Sequence, residues 1–579
     1  MRYIAPYWEA LVFALTGMMV MAATAPMLAA LMEWMVDGAF INKDMEVMQL
    51  VLLGIIVLFI VRGAAGYIST YAISWVGSKL VVDLRVEMFD KLLVLPARYY
   101  ADQPSGSLIS KFRSDIDQLA HAFTGVVTVM VKDTLTVMGL LGWMFYLNWK
   151  LSVLALLVTS VIMLIMRSVN ERLQRMGREA RQTVDNITLV LKESIENHKV
   201  VKLYGGEHYE NLRMGEQVSR IHSFAMRQVA IGAFTIPLVQ MIAAATLAIT
   251  LYFATQQVSS DEITVGSFVS LMLTILMLGA PLKRVAGIDA QLKPGLAAAG
   301  SIFSFLDEEI ETDTGTSAIE RAQGELRFER VSFCHSPQSS QSSPDSGTEA
   351  SPNAGSSLKD IRLTIQPGEI VALVGFSACG KATLADLVPR FFHPTEGRVL
   401  LDGHDLASLT LTSLRANIMM VSQGVTLFND TIAANIAYGA MGRSTEGRII
   451  AAAQAAHAME FIRRMPQGLQ TLVGEQGVRL SSGQRFRIAI ARALLKNSPV
   501  LVLDETLEMP DFESAHHVEA ALDAVMQGRT TLVIAHRLST MEKSGRVVVL
   551  QKGRITEIGT HRELLEKGGA YTRLVHACE

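Results

Sequence analysis

Apolar positions crowd the first half of the chain in long unbroken runs and thin into short alternating strings in the second. Six runs, at about 8–32, 49–72, 124–147, 150–167, 229–256 and 264–286, each approach the ~20 residues that carry a helix across a bilayer. Several such runs in succession predict a multi-span helical membrane region over 1–300 rather than buried helices of one soluble core. The run from Trp8 to Met32 is longer than a signal-peptide core and lacks a clean small-residue cleavage site, so it reads as the first span. Polar, helix-patterned stretches separate the second run from the third and the fourth from the fifth.

The later pattern is different. "GELRFERVSF" alternates as a half-buried strand and opens a second region, 325–579. The tract 336–357, "SPQSSQSSPDSGTEASPNAGSS", is too rich in Ser, Pro and Gly to pack a core and reads as a flexible surface insertion. "EIVALVG" and "PVLVLDE" each hold a short apolar run, Ile370–Val374 and Val500–Leu503, the mark of a buried strand.

Charge refines this picture. With 52 basic and 55 acidic residues the net charge is −3, which offers no basic field for nucleic acid. The stretch 167–228 carries Arg167, Arg172, Arg175, Arg178, Arg181, Lys192, Lys199 and Lys202, whereas the short links after the first and fifth runs carry Glu33, Asp37, Asp44, Glu46, Asp261 and Glu262. By the positive-inside rule the long stretches, both termini and the second region are cytoplasmic. Cys334, Cys379 and Cys578 have neither metal-ligand spacing nor the density of a disulfide framework.

The candidate chemistry lies in the second region. "GFSACGKAT", 375–383, sits between a buried strand and a helix start, where backbone N–H groups can cradle phosphate and Lys381 can reach it. The strand "PVLVLDE" ends about 120 residues later in Asp504 and Glu505; beside a phosphate loop, one carboxylate can hold hydrated magnesium and the next can polarise an attacking water.

Three further stretches carry a family resemblance. "LSSGQRFRIAIARALL" at 480–495 resembles the signature helix of ATP-binding cassette (ABC) proteins, "VSQGVTLFNDTIAANIAYG" contains a Q-loop glutamine, Gln423, and "TLVIAHRLST" contains a switch histidine, His536. With six spans ahead of one nucleotide domain, the whole chain resembles an ABC exporter half-transporter. "DGHDL", "LFNDTIAANIAYG" and "IAHRLSTMEK" are similar to the lipid A-exporting branch. The resemblance implies an α-helical six-span transmembrane domain followed by an α/β P-loop nucleotide-binding domain, in the bacterial inner membrane. It further implies a homodimer, ATP and Mg2+ as cofactors, and lipid A or another amphipathic lipid as cargo; an amphipathic-drug exporter is the alternative.

Roles follow residue by residue. Gly375, Phe376, Ser377, Ala378, Cys379, Gly380, Lys381, Ala382 and Thr383 would hold the phosphates, and Ser481, Ser482, Gly483 and Gln484 would close on the γ-phosphate held by the other chain. Glu505 would be general base, His536 would grip the γ-phosphate, Asp504 would hold magnesium with Gln423, and Gln423 would also sense the site and contact the membrane-domain loops. Where an aromatic ring stacks on adenine in the family, this chain has His335.

Several positions depart from the family pattern. Ala378 replaces a glycine, and Ala382 replaces the hydroxyl residue that binds magnesium; Thr383 cannot substitute, because one step along a helix turns a side chain by about 100°. Ser482 stands for a glycine, and "TLEMPD", 506–511, replaces the usual loop after the general base. A nucleotide-binding membrane protein with impaired or no hydrolysis therefore stays open beside the working pump. In the spans, Arg62, Lys132 and Lys283 are candidate contacts for an anionic lipid, the other readings being snorkelling to the headgroups or, for Lys132, neutralisation by Asp133. Ala280 occupies the position before Pro-Leu-Lys where lipid A exporters carry arginine. Only "MRYIAPY" precedes Trp8, where the family has an elbow helix, which implies a shortened chain or a misplaced start.

Overall fold

The computed structural model describes residues 3, 5–41, 44–103, 105–259, 264–334, 358–376, 379–422, 424–505 and 512–578. His335, Ser377, Ala378, Gln423, the tract 336–357 and the loop 506–511 lie outside them. The chain forms two compact units, Met1–Leu93 with Pro104–Glu308, and Val94–Gln103 with Glu309–Glu579.

The first unit is helical. Among the described residues, four stretches are long and apolar enough to cross a membrane: Ala5–Gly38, Met45–Leu93, Gly106–Leu147 and Val265–Leu306. The runs at 150–167 and 229–256 lie inside two more helices, Trp149–Glu196 and Glu207–Ser259. At 1.5 Å per residue these two reach about 70–80 Å, more than twice the ~30 Å hydrocarbon core. Side chains such as Leu53, Ile56, Phe59 and Ile60 point outward, as lipid-facing positions should.

Small residues set how closely the first two helices approach. Trp8–Trp34 buries Ala14, Gly17, Ala22, Ala25 and Ala29, and a Cβ on Gly17 would stand 2.9 Å from the Ala65 carbonyl oxygen. One residue separates the helix ending at Leu147 from the helix starting at Trp149: Asn148, extended at φ −161°, accepts the Leu151 N–H on its Oδ1 and caps the following helix. The last span begins at Thr264, whose Oγ1 caps Val265–Ala286, while Asp37 accepts from the Gly266 N–H at 2.7 Å. A π-helical turn, Val129–Asp133, interrupts the third span and leaves Asp133 buried.

The second unit is α/β. Its strands are β1 Leu326–Phe333, β2 Leu358–Ile365, β3 Ile370–Val374, β4 Glu396–Leu401, β5 His404–Asp405, β6 Ile418–Val421, β7 Val500–Asp504, β8 Thr530–Ile534, β9 Arg546–Gln551 and β10 Arg554–Gly559. They make an antiparallel sheet in the order β2-β1-β4-β5 and a six-stranded sheet in the order β10-β9-β3-β8-β7-β6, parallel except at β10. Alternation along β3 divides the core: Val371 and Leu373 pack with the residues of β1 and β2, Ala372 and Val374 with Phe486, Ile488 and Ile490 of the helix Ser482–Lys496. Burial on both faces is why β3, β7 and β8 read as continuous apolar strings.

Candidate nucleotide site

The register of the parallel sheet builds the site. β8 lies between β3 and β7, with Leu373 opposite Ile534 and Ile534 opposite Asp504. The chain therefore leaves all three strands at one edge: Gly375 after β3, Glu505 after β7, and Ala535–His536 after β8. Cross-strand bonds lock these exits, from Glu505 N–H to the Ile534 carbonyl and from Ala535 N–H to the Leu373 carbonyl, both 3.1 Å. Ligands bind in this part of open parallel sheets because the loops diverge there and leave a crevice.

Two glycines shape the loop after β3. Gly375 has φ 155°, and a Cβ there would lie 2.3 Å from the Leu550 carbonyl oxygen; Gly380 has φ 103°, and its Cβ would meet Leu358 Cδ2 at 2.7 Å. Only glycine fits either position without strain. Gly380 starts the helix Lys381–Leu387, and Lys381 Nζ curls back over the loop, donating to the Gly375 and Phe376 carbonyls at 2.6 and 3.1 Å. Cys379 is buried against the core, whereas Phe376 is exposed. Ala382 faces outward and Thr383 is buried, so the neighbouring hydroxyl is turned into the protein, as the 100° step per residue requires.

Glu505 is 2% exposed. Its Oε1 accepts from Thr540 Oγ1 at 2.6 Å and lies 3.8 Å from Arg537 Nε, while Oε2 is buried without a hydrogen-bond partner among the described residues. Burial raises its pKa, opposed by Thr540, Arg537 and the backbone N–H groups of His536 and Arg537. His536 is exposed; desolvation and the Lys381 charge lower its pKa, with Asp504 pulling the other way. Lys381, Asp504 and His536 thus share one electrostatic neighbourhood. Asp386 joins them from the helix after the loop, its carboxyl pushed up to about 6 by burial and by the Asp504 charge.

The signature residues form a separate cluster. Ser481 caps Ser482–Lys496 through a reciprocal box: Ser481 Oγ accepts from the Gln484 N–H and Gln484 Oε1 accepts from the Ser481 N–H. Gly483 is buried and Ser481 exposed. Phe333 packs in the core beside Phe392, and Cys334, next to His335, is exposed.

Sequence patterns match on both units. A model of the ABC transporter transmembrane region matches residues 10–282, and a model of the ABC transporter matches residues 358–508. The chain belongs to the ABC transporter family. Its ABC relatives include the ATP-dependent lipid A-core flippase of Thiobacillus denitrificans, 46% identical over 577 residues, 100% of this chain and 97% of the relative. Proteins of the same name from Chromobacterium violaceum and Dechloromonas aromatica are each 45% identical, over 99% of this chain and 95% and 96% of their own lengths.

For this ABC transporter, the residues fit an ATP-magnesium group. Positive-φ glycines open the loop's backbone, Lys381 brings a cation to it, and Glu505 Oε2 keeps a buried acceptor to spare. Thr540, Arg537 and Asp386 escaped the reading of the sequence. Thr540 and Arg537 lie in the very string that contains His536, and Asp386 is one helical turn beyond Ala382, a spacing that marks a shared face.

One charge pair in the first unit differs from the neutralisation considered for Lys132. Asp133 pairs with Arg284 rather than Lys132: Arg284 Nε donates to Oδ2 at 2.7 Å and Nη2 to Oδ1 at 2.9 Å. The π-helical turn points Asp133 into the bundle, away from the course that adjacency to Lys132 suggests. Arg62 reaches Thr24 Oγ1 at 3.5 Å, and Lys283 is exposed.

Proposed function

We propose that this ABC transporter is an ATP-driven flippase for lipid A-core in the bacterial inner membrane, working as a homodimer. The reading rests chiefly on one observation: Lys381, Asp504, Glu505 and His536 converge at a single sheet edge in a chain related over its full length to lipid A-core flippases. Lys381 and the N–H groups around Gly375–Lys381 would bind the phosphates, and Asp504 would hold magnesium through water. Magnesium bound there would neutralise phosphate charge; its readiness to keep water ligands compensates for the methyl group of Ala382. Glu505 would orient the attacking water on Oε2, which has no hydrogen-bond partner among the described residues, and take its proton, helped by a carboxyl whose pKa burial raises. His536 would hold the terminal phosphate, and Gln423 would report occupancy of the site. Ser481, Ser482, Gly483 and Gln484 would complete the site of the opposite chain, with helix-end N–H groups facing the anion.

Arg62, Lys132 and Lys283 are the cations we assign to the phosphates of the lipid. Arg284 is not among them, because its fork is occupied by Asp133. The outward-facing methyl of Ala382 favours a second reading, in which nucleotide binds but hydrolysis is too weak to pump. Proteoliposomes containing lipid A separate the two. Magnesium-dependent phosphate release above that of Glu505→Gln, stimulated by lipid A more than by amphipathic drugs, supports the flippase; release equal to Glu505→Gln sinks it.

A further inference from the structure

Away from the nucleotide site, three side chains from three separate elements meet. His457 occupies a left-handed turn, φ 52°, after the helix Glu446–Ala455; Glu460 lies on the short helix Met459–Ile462; His517 comes from the helix Phe512–Met526 that follows the loop beyond Glu505. Glu460 is shared between the histidines: His457 Nδ1 is 3.2 Å from Oε1 and His517 Nδ1 is 3.2 Å from Oε2. All three ligand atoms fall within 4.8 Å of one another.

We propose that His457, Glu460 and His517 form a binding site for a divalent first-row transition ion, zinc foremost, which clips Phe512–Met526 to the turn preceding Met459–Ile462. Zinc bonds of about 2.0–2.2 Å in tetrahedral geometry set neighbouring ligand atoms roughly 3.3 Å apart, close to the 3.2 Å between each histidine Nδ1 and the carboxylate oxygen it faces. Two imidazoles and one carboxylate suit zinc, copper or nickel and disfavour magnesium and calcium, which take oxygen ligands. Side-chain exposures of 38%, 44% and 30% leave a fourth position open to water and let the ion exchange with solvent.

The surroundings hold the ligands in place. Arg487 on Ser482–Lys496 donates to the His457 carbonyl at 2.9 Å and lies over the Phe461 ring, so both the turn and the short helix are tied to the signature helix. Its guanidinium is 3.9 Å from Glu460 Oε2, an ion pair that competes with an incoming cation for the carboxylate and weakens its binding. A bound ion would thus couple the signature helix to the segment that leaves the general base, and occupancy would stiffen a joint within the second unit.

The test is zinc titration of the purified full chain in detergent against a chromogenic chelator, with unfolding temperature measured in parallel. The parent should bind one equivalent that is lost in His517→Ala and in Glu460→Gln, and zinc should raise its unfolding temperature but not theirs. His516→Ala, altering the exposed neighbour, should bind as the parent does. His457→Asn supplies a further ligand deletion, since asparagine tolerates the left-handed turn. Each variant counts only if its unfolding temperature in chelator matches the parent's. Zinc stoichiometry unchanged in these ligand variants, or no zinc bound by the parent, overturns the proposal.

Discussion

Asp133 and Arg284 form a two-bond fork between the third and last expected spans, with the carboxylate 1% exposed and the guanidinium half-exposed. Parallel N–H···O bonds fix direction as well as distance, so the pair pins Val265–Ala286 against the π-helical turn Val129–Asp133. Asp133→Ala should lower stability by about 1.5–3 kcal/mol, the range for hydrogen bonds to charged groups. Asp133→Asn should cost less, and Arg284→Lys should not restore the fork. Chemical unfolding of the full chain in detergent checks the order; stability equal to the parent's in all three variants would show the fork to be incidental.

Glu505 and Thr540 make the second testable pair. Glu505→Gln should cut turnover by about 10²–10⁴-fold, the usual span for a general base, while ATP affinity is kept. Thr540→Ala removes a bond that lowers the Glu505 pKa, so that pKa rises and the acid limb of the pH–rate profile should move to higher pH. An unmoved limb would separate Thr540 from the base.

Ala382→Ser should restore a hydroxyl on the outward face of the phosphate-loop helix. We expect a lower magnesium concentration for half-maximal ATPase and a higher rate. Thr383→Ala should leave that magnesium dependence unchanged and reduce stability instead, because Thr383 is buried. Magnesium titration of ATPase, alongside unfolding, distinguishes the two positions.

Asp386 supplies a pH signature. Its carboxyl, at about 6, keeps a proton in the folded chain after an ordinary aspartic acid in the unfolded chain has lost one near pH 4. The folded state then binds more protons over that window, so stability falls as pH rises from about 4 to 6. Asp386→Asn should flatten this slope and be the more stable variant at neutral pH. Unfolding in chelator across that range measures it, and a slope unchanged by the substitution would assign it to other groups.

Much of this protein is legible along the chain because the signal is local. Apolar runs near the length a bilayer needs, the strings "EIVALVG" and "PVLVLDE", and the glycines around Lys381 each carry their meaning locally. Hydrophobic periodicity and glycine's backbone freedom are local constraints, so helices, buried strands and the phosphate loop are readable without a fold. The inward direction of Thr383, about 100° round the helix from Ala382, follows equally from helix geometry.

Pairings between distant residues needed the tertiary structure. Asp133 sits beside Lys132 in sequence yet binds Arg284, 151 positions away, because a π-helical turn and the packing of two helices aim it there. Strand order brought Asp504 level with Ile534 and hence Glu505 to Thr540. His457 and Glu460 gain meaning only when His517 arrives on another helix. Sequence by itself determined which elements form and which chemistry is available; the fold decided which charges neutralise one another, since electrostatic and hydrogen-bonding partners depend on distance in space.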